Sequence, residues 1–286
     1  YGYGSNITIN GGRVTAAGAY ISNQDGLIYG DGIGSGRHGD ASSNIFVATA
    51  ITVKAGESEN PTTVIAPQHT STTDLAESLA GKQYVDIGPD PQTVRVTYID
   101  EQGVEKSVYA KKITGSSNPV TWGEGWYVVI DRDVQLGQGA VCNNDVRLIL
   151  GDDCKLTAIG IFNTYNKIFT PCIQVSGDGN SLTIYGQTNQ TGRLDAFAPT
   201  SSHSEEYKVA AIGGGYGCSN SNITINGGTI TATGGRFSAA IGGGAYASGS
   251  NITINGGTVN ATGGMFAAAI GGGTEGSGSN ITINGG

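Results

Sequence analysis

The octapeptide Ser-Asn-Ile-Thr-Ile-Asn-Gly-Gly occurs four times in this chain, at Ser5–Gly12, Ser221–Gly228, Ser250–Gly257 and Ser279–Gly286. The last three copies are spaced by 29 residues, and the stretch between them repeats as well. Thr229-Ile-Thr-Ala-Thr-Gly-Gly answers Thr258-Val-Asn-Ala-Thr-Gly-Gly. Phe237-Ser-Ala-Ala-Ile-Gly-Gly-Gly answers Phe266-Ala-Ala-Ala-Ile-Gly-Gly-Gly. A period of this size belongs to stacked architectures, in which one unit cannot bury its own apolar face and leans on the next.

Within one unit the pattern alternates with period two, the mark of a strand with one buried side. In Asn222-Ile-Thr-Ile-Asn, Ile223 and Ile225 are expected inward. In the next run Ile230 and Ala232 are expected inward and Thr229, Thr231 and Thr233 outward. A third run should bury Phe237, Ala239 and Ile241. Glycine pairs and triplets separate the runs, and the chain holds 49 glycines without the every-third-residue period of collagen. Three strands and three turns per unit describe one rung of a parallel β-helix, with each inward residue over its counterpart 29 positions earlier. The rungs should rise by about 4.8 Å. The general bias of parallel β connections makes the hand right. The predicted fold is therefore all-β, a right-handed parallel β-helix (β-solenoid) with three strands per rung, carrying a small inserted helix and β-hairpin.

Residues 1–56 read as N-terminal β-helix rungs, with Asn6–Ala17 as a standard one. Residues 57–121 read as a non-solenoid insert. It holds a short helix over Asp74–Gly81, a linker marked by Pro89 and Pro91, and a hairpin over 94–113. Residues 122–286 read as the main β-helix, with residues 198–208 as a loop insertion. The chain begins at Tyr1 rather than Met, which reads as a mature product or a fragment. Glu275 aligns with Tyr1, because both precede a copy of the octapeptide at the same phase. That suggests either chance or a module that stacks end to end, since open strand edges call for partners.

The ordered motifs Thr121-Trp-Gly-Glu-Gly-Trp-Tyr-Val-Val, Val146-Arg-Leu-Ile-Leu-Gly-Asp-Asp-Cys, Asn180-Ser-Leu-Thr-Ile-Tyr-Gly-Gln, Ala211-Ile-Gly-Gly-Gly and Ile223-Thr-Ile-Asn-Gly-Gly resemble a known repeat type. It is the Gly-rich repeat region of large surface proteins of gut-type Firmicutes, often labelled adhesin-like or carbohydrate-binding. The resemblance implies display at a bacterial cell surface and supplies no catalytic residues.

A formal net charge of −8 leaves no basic stripe for phosphates, so nucleic acid is not an expected partner. No apolar run reaches the roughly 18 residues that span a bilayer, so membrane insertion within this chain is not expected either. Carboxylates that could serve a polysaccharide-active enzyme are Asp152-Asp153, Glu205-Glu206, Asp131 and Asp133. None is accompanied by the further motifs of known β-helix hydrolases or lyases, although Gly36-Arg-His-Gly-Asp40 has a superficial likeness to one. His38, His69 and His203 read as loop residues. Gly177-Asp-Gly-Asn and Gly151-Asp-Asp are fragments of oxygen-ligand turns, or simply tight turns. Cys142, Cys154, Cys172 and Cys218 lack the close pairing of a zinc site and read as buried small side chains or, in part, a disulfide. The chain is accordingly read as a non-enzyme, with no catalytic, cofactor-binding or metal-binding residue assigned.

The expected function is structural and extracellular: an adhesive stalk or filament subunit that associates end to end. The alternative is a carbohydrate-binding surface module with a glycan or host-surface ligand. Tyr216 and Tyr246 are among its candidate tyrosines, together with Tyr1, Tyr3, Tyr20, Tyr29, Tyr165 and Tyr207. The competing reading of these tyrosines is packing across adjacent rung edges. A polysaccharide-active enzyme comes third.

Overall fold

The computed structural model describes residues 92–163, 168–198, 208–220 and 222–285, together with the backbone of strands between residues 5 and 89. The chain divides into two compact units, Tyr1–Val94 and Arg95–Gly286.

In the first unit, Ser5–Ile9 pairs in parallel with Ser43–Val47, setting Ile7 beside Ile45 and Ile9 beside Val47. The second strand of that expected rung takes a different partner. Val14–Ala17 pairs antiparallel with Tyr84–Pro89, whose other edge pairs antiparallel with Ile51–Gly56. Tyr20–Asn23 and Gly26–Tyr29 form an antiparallel pair. A strand must hydrogen-bond its backbone somewhere, and here Tyr84–Pro89 offers edges that a stacked rung would otherwise supply. The helix expected over residues 74–81 lies outside the described residues.

The second unit is the parallel β-helix. Its first sheet holds Gly125–Val129, Asp145–Leu150, Ser181–Gly186, Asn222–Ile225, Gly249–Ile254 and Gly278–Ile283 in chain order. The second holds Asp133–Leu136, Lys155–Ile159, Arg193–Phe197, Thr229–Thr233 and Thr258–Thr262. The third is built of shorter pieces: Val120–Trp122, Ala140–Cys142, Ile173–Gln174, Ile212–Gly213, Ile241–Gly242 and Ile270–Gly271. Each rung contributes one strand to each sheet until the last, whose described residues end in the first sheet.

The register is the one the period demands. Ile223, Ile252 and Ile281 stand in one column, continued downward by Leu182 and Val146. Ile225, Ile254 and Ile283 stand in the next, above Ile184 and Leu148. In the second sheet Leu156, Leu194, Ile230 and Val259 form a column, with Ala158, Ala196, Ala232 and Ala261 beside it. Ile173, Ile212, Ile241 and Ile270 form the third side. Branched columns from the three sheets meet on the axis, and the alanine column leaves room for them. Ile223, Ile225, Ile230, Ile241 and Ile252 are fully buried, worth about 1.5–3 kcal/mol each in area removed from water.

The polar letters of the octapeptide stack too. The side-chain amide of Asn255 donates to Asn226 Oδ1 at 2.8 Å, and that of Asn284 donates to Asn255 Oδ1 at 2.8 Å. A second ladder joins Asn280 to Asn251 at 3.1 Å. Asn251 and Asn280 have φ of 54° and 50°, a region asparagine tolerates better than branched residues do. In the third sheet Gly242 and Gly271 sit at φ +136° and +131°, and a Cβ on Gly242 would lie 2.1 Å from the carbonyl oxygen of Gly271. The backbones of adjacent rungs approach there too closely for any side chain.

One expectation fails in this third segment. Phe237 and Phe266 do not enter the core. Phe237 is half-buried, Phe266 is 74% exposed, and their rings lie parallel at 6.5 Å. The regular strand is only two residues long, so period-two alternation does not extend back to Phe237. A turn closed by Ser238 N–H to Gly235 O and a loop closed by Ala239 N–H to Gly243 O carry that ring outward. Ala239, Ala240 and Ile241 fill the interior.

The hairpin strands Thr93–Ile99 and Glu105–Lys112 are part of the first sheet, beyond Gly125–Val129. The Asp100 carboxylate accepts the N–H groups of Gln102 and Val104 and fixes the turn between them. A second, antiparallel hairpin, Ile161–Asn163 with Ile168–Thr170, leaves the rung between the second and third sheets.

Two substitutions test this packing. Ile223→Ala removes a fully buried column residue and should lower unfolding free energy by about 2–5 kcal/mol in denaturant titration. Ser238 is 0% exposed, its hydroxyl has no hydrogen-bond partner, and the next rung carries Ala267 at that place. Ser238→Ala should therefore leave stability unchanged or raise it, because an unpaired buried hydroxyl is a cost to the folded state.

Candidate functional site

The turns between sheets carry polar and aromatic residues that the interior cannot hold, among them Asp152, Asp153, Asp178, Asn180, Tyr216 and Tyr246. Asp152 and Asp153 form the turn after Asp145–Leu150. The Asp152 carboxylate accepts the N–H groups of Asn189 at 3.0 Å and Thr191 at 3.2 Å, in the turn one rung on. Asp153 takes φ 59° and its N–H donates to Thr191 Oγ1 at 2.9 Å. The pair thus fastens one turn to the next. Asp131 is paired with Lys112 at 3.0 Å and Asp133 with Lys155 at 3.4 Å. Both pairs are exposed enough to contribute little to stability.

In Gly177-Asp-Gly-Asn, the Asn180 side chain accepts Asn144 N–H at 2.7 Å and donates to Ser176 O at 2.6 Å, a rung-to-rung clamp. Among the described residues no group of three His, Cys, Asp or Glu side chains is placed to hold a metal ion. His38, His69, His203, Glu205 and Glu206 lie outside the described residues. The outward threonines stack as expected, Thr229 on Thr258 and Thr233 on Thr262, with Asn260 over Thr231.

The four cysteines are free thiols. Cys142 and Cys172 are fully buried, and burial pushes both thiols up to about 12. Cys154 is raised by burial and then by Asp131, while Cys218 is exposed. The buried thiols keep their protons in the folded chain at pH values where the unfolded chain has lost them. Their contribution to stability is thus present below the ordinary thiol pKa of about 8.5 and declines as pH rises from there toward 12. A thiol reagent at pH 8 should label Cys218 quickly in the native protein, and Cys142 and Cys172 only once denaturant is added.

Two aromatic groups gather outside the core, the first unanticipated and the second packed across adjacent rung edges, one of the two readings given for its tyrosines. Tyr98, Trp126 and Tyr185 cluster where the hairpin covers the outer face of the first sheet. Tyr98 lies 4.6 Å from Trp126 and 4.9 Å from Tyr185, and Arg147 sits 5.5 Å from the centre of the Trp126 ring. Val128, Ile149 and Ala110 beneath them are fully buried. The Tyr185 phenol is pushed up to about 12 by burial, then by Glu101. Gln187 ties this region together, donating to Thr97 O and accepting Asp152 N–H, each at 2.9 Å. This is a second small core, a strap that fixes the hairpin. The outward aromatic positions at Trp126 and Tyr185 were its only signal in the sequence.

The other group lies on the corners flanking the third sheet. Tyr216 and Tyr246, 52% and 51% exposed, meet edge to face at 5.6 Å on successive rungs. They pack on each other across the rung edge and still present their rings to solvent. Lys208 Nζ sits 5.0 Å from the centre of Tyr216, and the Arg236 guanidinium 5.1 Å from that of Phe237. Backbone bonds lace the corners together. Tyr246 N–H donates to Thr274 O, Thr274 N–H to Phe237 O, and Ala245 N–H to Lys208 O. The Thr274 hydroxyl donates to Phe266 O. Tyr216, Tyr246, Phe237 and Phe266 therefore belong to one continuous patch of backbone. Tyr246 and Phe266 take φ of 60° and 63°, left-handed conformations that cost a residue with a Cβ about 1–2 kcal/mol.

A family model described as a beta helix repeat matches residues 7–37, 223–245 and 252–274. No curated protein and no solved structure matches the chain. The matched segments include the rungs whose columns are the most regular, so the chain carries a beta-helix repeat region and its second unit is a parallel β-helix. No helix among the described residues is long and apolar enough to cross a membrane.

Proposed function

We propose that this repeat protein serves as an extracellular structural element, an adhesive stalk or filament subunit displayed on a bacterial cell surface. The observation that carries the reading is the unbroken register of the second unit. Buried columns run from rung to rung, and amide ladders join the last three rungs. A stack of this kind resists extension because strands along the whole axis share load through parallel backbone ladders, while the turns remain free to vary.

End-to-end association follows from the same register. Parallel pairing of like on like, as Ile252 with Ile281 and Ile254 with Ile283, is a contact that a rung of another molecule can make in the same way. In this reading a second copy supplies that rung. Sedimentation over a concentration series should show assembly of the chain, lost in the Ile281→Lys, Ile283→Lys double variant. A wild-type chain that stays monomeric throughout removes the assembly part of the proposal. Electron micrographs of the source cells should show thin rods bearing this protein, and an intracellular distribution would contradict the stalk reading itself.

The carbohydrate-binding alternative is supported by one specific observation, the half-exposed ring pair of Tyr216 and Tyr246. Aromatic rings with a wet phenol end present both an apolar face and a hydrogen-bonding tip.

A further inference from the structure

The left-handed position on the corner is occupied by Gly217, then Tyr246, then Glu275 on three successive rungs, at φ 65°, 60° and 60°. Glycine takes this conformation without strain. On the next rung the sequence places a tyrosine there, the kind of large residue least suited to it. The Tyr246 ring gains an edge contact with Tyr216 in return and still stays half in solvent. A left-handed aromatic that leaves half its ring exposed points to a role beyond that one contact. The surrounding charges narrow that role. Lys208 and Arg236 lie over ring faces on this corner, against the single carboxylate of Glu275 one rung above Tyr246 among the described residues there.

We propose that the corner bearing Tyr216, Tyr246, Phe237 and Lys208 is a binding ridge for an acidic polysaccharide, an inference that rests on the carbohydrate-binding reading. The apolar C–H face of a pyranose ring lies on the tyrosines, its hydroxyls remain hydrated, and its carboxylates meet the cations. Stacking on Tyr216 and Tyr246, which belong to adjacent rungs, sets the sugar chain along the axis. Single-stranded nucleic acid would also stack on aromatics, and an oligothymidylate in the test below separates it from a glycan.

The full chain is tested by calorimetry against polygalacturonate, alginate and hyaluronan, against their carboxyl-reduced neutral forms, and against an oligothymidylate. At least one acidic glycan should bind, its neutral form about tenfold more weakly, a difference of about 1.4 kcal/mol. Added salt should weaken the acidic complex. Tyr246→Gly should lose about tenfold or more in affinity while its thermal midpoint stays level or rises, because glycine already occupies this conformation at Gly217. Tyr216→Ala should lose affinity likewise. Lys208→Gln should lower acidic binding and leave neutral binding unchanged.

Absence of binding to every glycan overturns the ridge and the carbohydrate-binding reading together. Binding that survives in both Tyr246→Gly and Tyr216→Ala overturns the ridge and leaves that reading standing. A lowered midpoint in Tyr246→Gly assigns the ring to packing and overturns the argument from strain. Tight binding of the oligothymidylate overturns the choice of ligand.

Discussion

Parallel pairing of like strands, in an exact 29-residue register over the last three rungs, is the constraint on which the rest of this structure depends. It forces every residue to lie on its own counterpart. An isoleucine then meets an isoleucine in the core, and an asparagine amide donates to the one below while accepting from the one above. A shift by one residue would send the isoleucines outward and the asparagines and threonines inward, breaking both sets of contacts at once. The buried columns supply the free energy, and the amide ladders and close glycine approaches make the register unique. The octapeptide recurs because each of its letters answers to one of these demands.

This explains what could be read from the sequence. The columns through Ile223, Ile225, Ile230 and Ile241 were legible because a one-dimensional stack turns sequence period into spatial neighbourhood. The upstream rungs were legible through Leu182, Leu148 and Leu194 despite altered spacing, because period-two alternation survives inside each strand. Phe237 was misplaced for a physical reason. Alternation holds only while the backbone stays extended, and from Ile173 onward the third side of each rung is extended for two residues alone. Hydrophobicity then says nothing of direction, and turn bonds decide it. The pairing of Val14–Ala17 with Tyr84–Pro89 was illegible for a related reason, since antiparallel partners far apart in sequence leave no period to detect.

The hairpin over the first sheet shows how such a rod accommodates a non-repeating element. Its strand Glu105–Lys112 extends the ladder at Tyr127 and Val128, and its partner lays Tyr98 on Trp126 and Tyr185. The outer face of a rung normally carries threonine or asparagine. Here three large apolar or aromatic side chains, Val128, Ile149 and Tyr185, take outward positions on successive rungs. Covering them required an element from outside the repeat. The local break in the polar outer face and the presence of the hairpin are two sides of one packing solution.

The same logic separates what is fixed in this chain from what is free. Interior columns specify two or three residues on each side of a rung, and substitution there is felt by the rungs above and below. Corners are specified only by the need to turn, a need that glycine meets at Gly217 without strain and Asp153 meets with its N–H bonded to the next rung. Asp152 beside it holds that turn with three acceptor contacts, so its place in the structure is explained by packing of turns alone. Tyr246, like Phe266, is an exposed ring in a left-handed conformation that contacts one aromatic neighbour. A turn could be made more stably there by the residue found one rung below. Turn-to-turn bonding therefore explains how Asp152 and Asp153 are held, while the Tyr246 side chain has only its ring contact, which is why the two kinds of corner call for different explanations.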